Sequence, residues 1–121
     1  MDKKTVLIID DDARNIFALT ATLKVKGFNC LSCLGAHEAL VLLKGDTPID
    51  VVLIDMMMPD MDGYEAIPLI KALNNRRDVP VISVTAQAMV GDRDKCLAAG
   101  ADGYIAKPID VDKLMTVLNA L

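Results

Sequence analysis

The sequence predicts an α/β fold in which helices cover both faces of a parallel sheet. Two observations favour it. Short apolar runs alternate along the chain with longer segments of helical spacing, and 121 residues are the size of one ordinary domain. Strict alternation of strand and helix with right-handed crossovers makes the strands parallel. We therefore expect one domain over residues 1–121, with the order βαβαβαβαβα.

The sequence signal for the predicted strands varies in strength. Runs at residues 5–9, 50–54 and 79–84 are short and rich in Val and Ile. This composition is typical of central parallel strands, which are buried on both faces. Weaker runs at 28–33 and 104–106 complete the predicted sheet.

Three helices follow from apolar residues that recur every three or four positions. The first carries Ile16, Leu19 and Leu23, and similar patterns lie at residues 36–43 and 111–121. Asp12 is expected to cap the first helix, and glycines follow the helical patterns as C-terminal caps, at positions 27, 45 and 100.

Two further helices are expected to be irregular. The third, at residues 62–74, contains Pro68, which removes a backbone hydrogen bond and predicts a kink. The fourth, at 88–99, carries Gly91 and few large apolar residues. We expect it to pack loosely and to be the most mobile helix.

Composition excludes several classes of protein. Thirteen basic and seventeen acidic side chains are scattered along the chain and leave a net charge of -4, which argues against direct nucleic-acid binding. No apolar run approaches the roughly 20 residues of a membrane-spanning helix, and the amino terminus is not a secretory signal, so no direct membrane contact is expected. Three cysteines, an odd number, indicate a reducing compartment, and we predict a cytoplasmic protein.

Reactive side chains stand where four predicted strands end. The first strand leads into Asp10 and Asp11, the third into Asp55, the fourth into Thr85 and the fifth into Lys107. Because the carboxyl ends of parallel strands share one edge, these groups are expected to meet there. Converging carboxylates repel each other, and a divalent cation such as Mg²⁺ relieves the repulsion.

The same residues suggest a division of roles at that edge. Asp11 and Asp55 suit direct ligation of Mg²⁺, Asp10 acts through water, and the backbone carbonyl of Met57, just after Asp55, completes the set. A carboxylate beside Mg²⁺ is suited to phosphoryl transfer onto itself, which makes Asp55 the nucleophile. Lys107 would neutralise the phosphoryl group and Thr85 would donate a hydrogen bond to it.

Four motifs resemble the receiver domains of two-component response regulators, in order and spacing. They are VLIIDDD (6–12), DMMMPDMDG (55–63), VTA (84–86) and GYIAKP (103–108). The resemblance implies a flavodoxin-like (βα)5 fold with strand order 2-1-3-4-5, an acceptor at Asp55, metal-binding acids at Asp10 and Asp11, and a cis peptide before Pro108. The stretches at 14–19 and 91–97 look most like receivers attached to hybrid sensor kinases.

The resemblance also implies a switch. Thr85 would move toward the phosphoryl group and Tyr104 would turn inward behind it, which changes the surface of the fourth helix, fifth strand and fifth helix. Each could instead be an ordinary strand residue, and for Tyr104 the sequence favours neither interpretation over the other. Met57 and Gln87 would border the approach of the water that removes the phosphoryl group, and would set its lifetime.

The expected function is therefore a phosphoacceptor domain rather than an enzyme. Its partners would be a histidine kinase or histidine phosphotransfer protein and an output domain or target protein. The sequence ends at Leu121 without an output domain, so we expect a stand-alone receiver or one excised from a longer protein.

Three rival functions deserve comparison. A phosphatase of the haloacid dehalogenase type needs a second acid two residues after the nucleophile, where Met57 stands. A phosphorylation-independent binding module of the same fold usually lacks an acid or the lysine, and neither is missing. A dinucleotide-binding domain needs glycines where the first strand leads into acids.

Other candidate residues have simpler interpretations. Cys30 and Cys33 have redox or zinc spacing, but residues three apart on a strand point to opposite faces. His37 begins a helix and is expected at the surface. Met56 and Met58 are expected in the core, with Met57 beside the site.

Overall fold

In the computed structural model, which describes residues 3–86 and 91–121, the strands form one parallel sheet. The strand order is β2-β1-β3-β4-β5, and each neighbouring pair is parallel. This confirms the predicted flavodoxin-like topology. The strands are β1 (Thr5–Ile9), β2 (Asn29–Cys33), β3 (Val51–Asp55), β4 (Val81–Thr85) and β5 (Gly103–Ala106).

Helices cover both faces of the sheet, as predicted. Leu23, Leu114 and Leu118 pack in a core cluster on one face, and Ala39, Ile67 and Cys96 pack in a second cluster on the other. Within the described residues, no helix is long and apolar enough to cross a membrane. The helices are α1 (Ala13–Val25), α2 (Ala36–Lys44), α3 (Gly63–Lys71), α4 (Asp92–Ala98) and α5 (Val111–Asn119), with a 3-10 helix at Asn74–Arg76.

Some boundaries differ from the predicted ones. The fourth strand was expected from residue 79 but begins after Pro80, which has no N–H to donate to a neighbouring strand. The third helix was expected to reach residue 74 but ends at Lys71, because Leu73 has extended backbone with ψ 123° and a separate 3-10 turn follows. Pro68 lies inside α3, on its exposed side. The predicted start of the fourth helix falls among residues 87–90, outside the described part.

The helix ends follow the sequence signals. The Asp12 carboxylate accepts a hydrogen bond from the backbone N–H of Arg14 and caps α1, as predicted. Gly27 and Gly100 have φ of 94° and 111°, values that favour glycine after a helix. These caps fix where each helix returns to the sheet.

Arg76 is a buried cation that the sequence analysis did not single out. Its Nε donates to the Leu43 carbonyl (2.9 Å), and its Nη2 donates to the carbonyls of Gly45 (2.9 Å) and Thr47 (2.7 Å). The last carbonyls of a helix lack partners within the helix, and a cation there is favourable. Arg76 therefore fastens the segment that leads from α2 into β3.

Replacing Arg76 is expected to destabilise the fold. Arg76→Met removes three hydrogen bonds from a buried cation, although Asn75 still donates to the Leu43 and Gly45 carbonyls, and we expect the free energy of unfolding to fall by about 2–3 kcal/mol. Urea denaturation measures this loss. Arg77→Met, at the exposed neighbouring position, serves as the matched control and should cost less than about 0.5 kcal/mol. Equal losses in the two variants would contradict this role of Arg76.

Candidate functional site

The carboxyl edge of the sheet gathers the side chains that the sequence analysis expected there. Asp55 and Thr85 are the last residues of β3 and β4, while Asp10 and Lys107 directly follow β1 and β5. Asp10, Asp11 and Asp55 each offer a carboxylate oxygen, and the three oxygens lie within 4.8 Å of one another. Like charges at this distance require a neutralising group.

Lys107 provides positive charge between two of these acids. Its Nζ lies 3.2 Å from Oδ2 of Asp55 and 3.7 Å from Oδ2 of Asp10. Its backbone N–H donates to the Thr85 carbonyl (2.7 Å), which ties the lysine to the end of β4. The peptide bond from Lys107 to Pro108 is cis, as the resemblance implied. The ammonium thus occupies a position set by two strand ends.

Both buried acids are also held by backbone donors. The N–H of Met57 donates to Oδ1 of Asp55 (3.1 Å), and the N–H of Asp12 donates to Oδ1 of Asp10 (2.9 Å). Burial raises the pKa of Asp10, and the nearby charges of Asp55 and Asp11 add to that increase. The Asp12 N–H and the Lys107 ammonium oppose the rise without cancelling it. Asp10 therefore carries its negative charge at an energetic cost.

The other acids of the first motif have different environments. Asp11 is exposed beside the two buried carboxylates. The backbone N–H of Arg14 holds the pKa of Asp12 below its usual range, because Asp12 caps α1. The charge of Asp12 is therefore stabilised by the helix, whereas that of Asp10 is not.

The residues proposed for the switch and for the lifetime of the phosphoryl group differ in their exposure to solvent. Thr85 is buried, and Tyr104 is half-buried against the core cluster that α2, α3 and α4 cover. Burial raises the pKa of Tyr104. Met57 is 51% exposed and borders the site. Gln87 lies outside the described residues.

The simpler interpretations of the remaining candidates agree with the structure. Cys33 packs in the cluster under α2, while Cys30 packs on the opposite face, so the pair does not form a common metal site. His37 is exposed, and its Nε2 lies 3.2 Å from Oδ2 of Asp60. Met56 and Met58 are buried, as expected.

The sequence analysis missed a polar cluster beside the site. Asp92 and Cys96 are buried on α4, and the half-buried Tyr64 of α3 packs in the same region. Asp92 and Cys96 are four residues apart and therefore share one helix face. That spacing was visible, but a charged residue at the start of a helix is ordinarily expected in solvent.

Comparisons with known proteins agree with this geometry. The profile of the response regulator receiver domain matches residues 6–119. The signal transduction histidine-protein kinase BarA of Escherichia coli (strain K12) is 40% identical over 114 residues, which are 94% of this chain and 12% of BarA. This chain thus spans about an eighth of that relative. The polar-differentiation response regulator DivK of Brucella anthropi is 31% identical over 97% of this chain and 94% of DivK.

A solved structure of similar sequence carries magnesium in its own active site cleft. The receiver domain of sensor histidine kinase PA1611 from Pseudomonas aeruginosa was crystallised with magnesium coordinated in the active site cleft. It is 32% identical, with a TM-score of 0.88 over 98% of this chain and 97% of that one. With the profile match over nearly its whole length, this chain belongs to the response regulator receiver domain family, a family of phosphoacceptor signalling domains.

Proposed function

We propose that Asp55 accepts a phosphoryl group from the phosphohistidine of a histidine kinase or histidine phosphotransfer protein. The observation that carries this proposal is the buried Asp55 carboxylate with the Lys107 ammonium 3.2 Å away. An anionic nucleophile and an anionic phosphoryl group repel each other, and a fixed cation beside both reduces that repulsion. Each Asp55 oxygen already has one donor, which orients the carboxylate.

The transfer balances without a further reactant. An Asp55 oxygen forms a bond to phosphorus while the bond from phosphorus to the histidine nitrogen breaks. The electron pair of that bond returns to the histidine nitrogen. The imidazole leaves as a neutral base, because it either retains a proton on its other nitrogen or takes one up. Lys107 offsets charge on the phosphoryl oxygens, and Thr85 donates a hydrogen bond to one of them.

The residues at this edge fit a magnesium ion. Three carboxylate oxygens converge within 4.8 Å, and burial raises the pKa of Asp10 although the Lys107 ammonium lies beside it. Oxygen donors of this kind suit a hard divalent cation. Asp11 and Asp55 would hold Mg²⁺ directly, Asp10 through water, and Met57 through its backbone carbonyl. When bound, Mg²⁺ would supply positive charge to the carboxylates and to the phosphoryl oxygens.

The remaining roles complete the proposal. The domain over residues 1–121 acts as a switch in the cytoplasm and not as an enzyme with a separate substrate. Thr85 reports the phosphoryl group and Tyr104 follows, and the changed surface is recognised by an output domain or target protein. The net charge of -4 supports a protein partner rather than direct contact with nucleic acid.

Phosphoryl uptake tests the acceptor directly. Incubation with phosphoramidate and Mg²⁺ should add the mass of one phosphoryl group, and a chelator should prevent the addition. Asp55→Asn should abolish uptake with the fold intact, because the amide is nearly isosteric but a poor nucleophile. Intact mass spectrometry measures each case.

Asp60→Asn is the matched control for that experiment. Asp60 is an exposed acid in the same loop, with φ 71°, a conformation that asparagine tolerates. It should take up the phosphoryl group at the wild-type yield. Full labelling of Asp55→Asn would place the acceptor elsewhere.

Removing the Asp10 charge should stabilise the metal-free protein. The pKa of Asp10 in the folded protein lies above the ordinary value of 3.8. The contribution of Asp10 to stability therefore falls as the pH rises from the ordinary pKa to the raised one, and it stays low at higher pH. Asp10→Asn should therefore raise the free energy of unfolding by about 1 kcal/mol at pH 7 in chelator. The gain should shrink toward pH 4.

Thermal melts with and without Mg²⁺ complete this test. Mg²⁺ should raise the melting temperature of the wild type much more than that of Asp10→Asn, since a ligand stabilises only the state that binds it. Asp12→Asn is the control, because Asp12 caps a helix and asparagine caps equally well. A melting temperature of Asp10→Asn below the wild type in chelator would contradict the electrostatic argument.

The lifetime of the phosphoryl group should depend on position 57. Met57 is exposed beside Asp55 and offers no useful hydrogen bond to an attacking water. Met57→Asn supplies a group that orients such a water, and we expect about tenfold faster loss, equivalent to about 1.4 kcal/mol of barrier. Met57→Leu keeps the position apolar and should decay like the wild type. Decay followed on Phos-tag gels tests this, and equal or slower loss in Met57→Asn would show that position 57 does not control water.

A further inference from the structure

One peptide unit joins the acceptor to the start of α3. It is the trans peptide between Met56 and Met57, directly after Asp55. Its N–H donates to Oδ1 of Asp55 (3.1 Å), and its carbonyl accepts from the backbone N–H of Gly63 (3.1 Å). A peptide unit is planar, and in the trans form its N–H and its C=O point in opposite directions. The direction of the carbonyl therefore fixes the direction of the N–H that holds the acceptor.

The residue in front of this peptide unit has little freedom to move. Met56 is fully buried, and its own N–H donates to the carbonyl of Val84 in β4 (3.0 Å). Met56 therefore stays in the hydrogen-bond ladder of the sheet after β3 has ended. With Met56 held there, the peptide unit that follows changes direction mainly by rotation about its flanking bonds. The hydrogen bond from Gly63 is the contact that opposes this rotation.

Glycine is required at position 63 because the two backbones lie so close together. A Cβ at that position would overlap Sδ of Met56 and would lie 2.9 Å from its Cα. The Sδ atom belongs to a flexible side chain, but the Cα atom belongs to the main chain that β4 holds. Close approach of two backbones is a typical use of glycine. Any side chain at position 63 therefore has to displace the backbone of Met56 or that of α3.

The N–H of Gly63 is available for this contact because it begins a helix. The first four N–H groups of a helix have no partner within the helix. The Asp62 carboxylate accepts from the N–H of Glu65 (2.9 Å), while the N–H of Gly63 donates to Met56. The start of α3 is thus satisfied partly by its own cap and partly by the backbone beside the acceptor.

We propose that Gly63 is a positioning residue for the acceptor, because its contact with Met56 sets the plane of the peptide whose N–H holds Asp55. This inference rests on the proposed phosphorylation of Asp55. With Oδ1 held by the N–H of Met57, Oδ2 of Asp55 lies 3.2 Å from the Lys107 ammonium. The carboxylate therefore presents a fixed orientation to phosphorus. A side chain at position 63 turns the peptide, releases Oδ1 and lets the carboxylate rotate.

Gly63→Ala tests this role with two measurements. In the metal-free protein, the hydrogen exchange of the Met57 N–H, followed by NMR, should become about tenfold faster because its bond to Asp55 weakens. At saturating Mg²⁺, uptake of the phosphoryl group from phosphoramidate should become about tenfold slower, because the nucleophile is less well oriented. The first measurement requires neither metal nor phosphorylation.

Two other glycines provide matched controls. Gly35 precedes α2, and a Cβ there would have no heavy atom of the described residues within 4 Å apart from its chain neighbours. Gly35→Ala should keep both rates within about twofold of the wild type. At Gly103, the first residue of β5, a Cβ would lie 2.8 Å from Cδ1 of Ile82. Gly103→Ala should lower the melting temperature and leave the exchange of the Met57 N–H unchanged, which separates positioning from loss of stability.

The wild type provides a test that needs no variant. Rotation of the peptide unit breaks the hydrogen bonds of Gly63 and Met57 together, so the protection factors of these two N–H groups should agree within about fivefold. A larger difference would show that the two bonds open independently and would overturn the inference, even if Gly63→Ala does not fold.

The two measurements also separate this inference from the proposed function. Absence of phosphoryl uptake by the wild type would refute the proposed function, while the exchange rates would still report whether Gly63 holds the peptide. A folded Gly63→Ala that takes up the phosphoryl group at the wild-type rate would overturn the positioning role and leave Asp55 as the acceptor. Unchanged exchange of the Met57 N–H in that variant would overturn it as well.

Discussion

The structure depends on the crowding of negative charge at the carboxyl edge of the sheet. Asp10 and Asp55 are buried there, Asp11 stands beside them, and the Lys107 ammonium is near enough to contact both buried acids. Parallel topology creates this crowding, because every strand delivers its last residue to the same edge. Burial raises the pKa of Asp10, with smaller contributions from the charges of Asp55 and Asp11, although Lys107 lies beside it. An edge with excess negative charge favours a divalent cation. A cation bound there would in turn favour the transfer of a phosphoryl group.

The parts of this arrangement that were predictable are those set by local sequence. Buried parallel strands need continuous apolar runs, so β1 and β3 were recognisable, and the residues directly after them had to reach the carboxyl edge. Asp12 could be assigned to capping because a carboxylate before an apolar stripe satisfies free N–H groups. Strand order could not be predicted from local sequence, because the alternation of strands and helices does not specify which strands are neighbours. It came from the resemblance of the four motifs to a family.

What was not predictable depends on contacts between residues far apart in sequence. Arg76 reads as a surface residue in a polar turn, and only the fold brings it to the carbonyls that end α2. Asp92 similarly reads as a helix-starting acid in solvent, yet it is buried beside Tyr64. The end of α3 was overestimated because helical spacing continues past Lys71 while the backbone at Leu73 does not. In each case tertiary contacts decided against a local preference.

The two faces of the sheet contribute differently to function. The face under α1 and α5 is an apolar cluster, whereas the face under α4 also contains Asp92, Cys96 and the Ser83 hydroxyl, which has no hydrogen-bond partner among the described residues. A ligand shifts a conformational equilibrium only by its differential interaction with the two states, and a full reversal from 1:99 to 99:1 needs about 5.5 kcal/mol. A phosphoryl group on Asp55 would meet Lys107, whose backbone is bonded to the end of β4. That interaction would act on the end of β4, whose face under α4 holds the buried Ser83 hydroxyl among apolar neighbours. The apolar cluster under α1 and α5 would oppose a shift on the other face of the sheet.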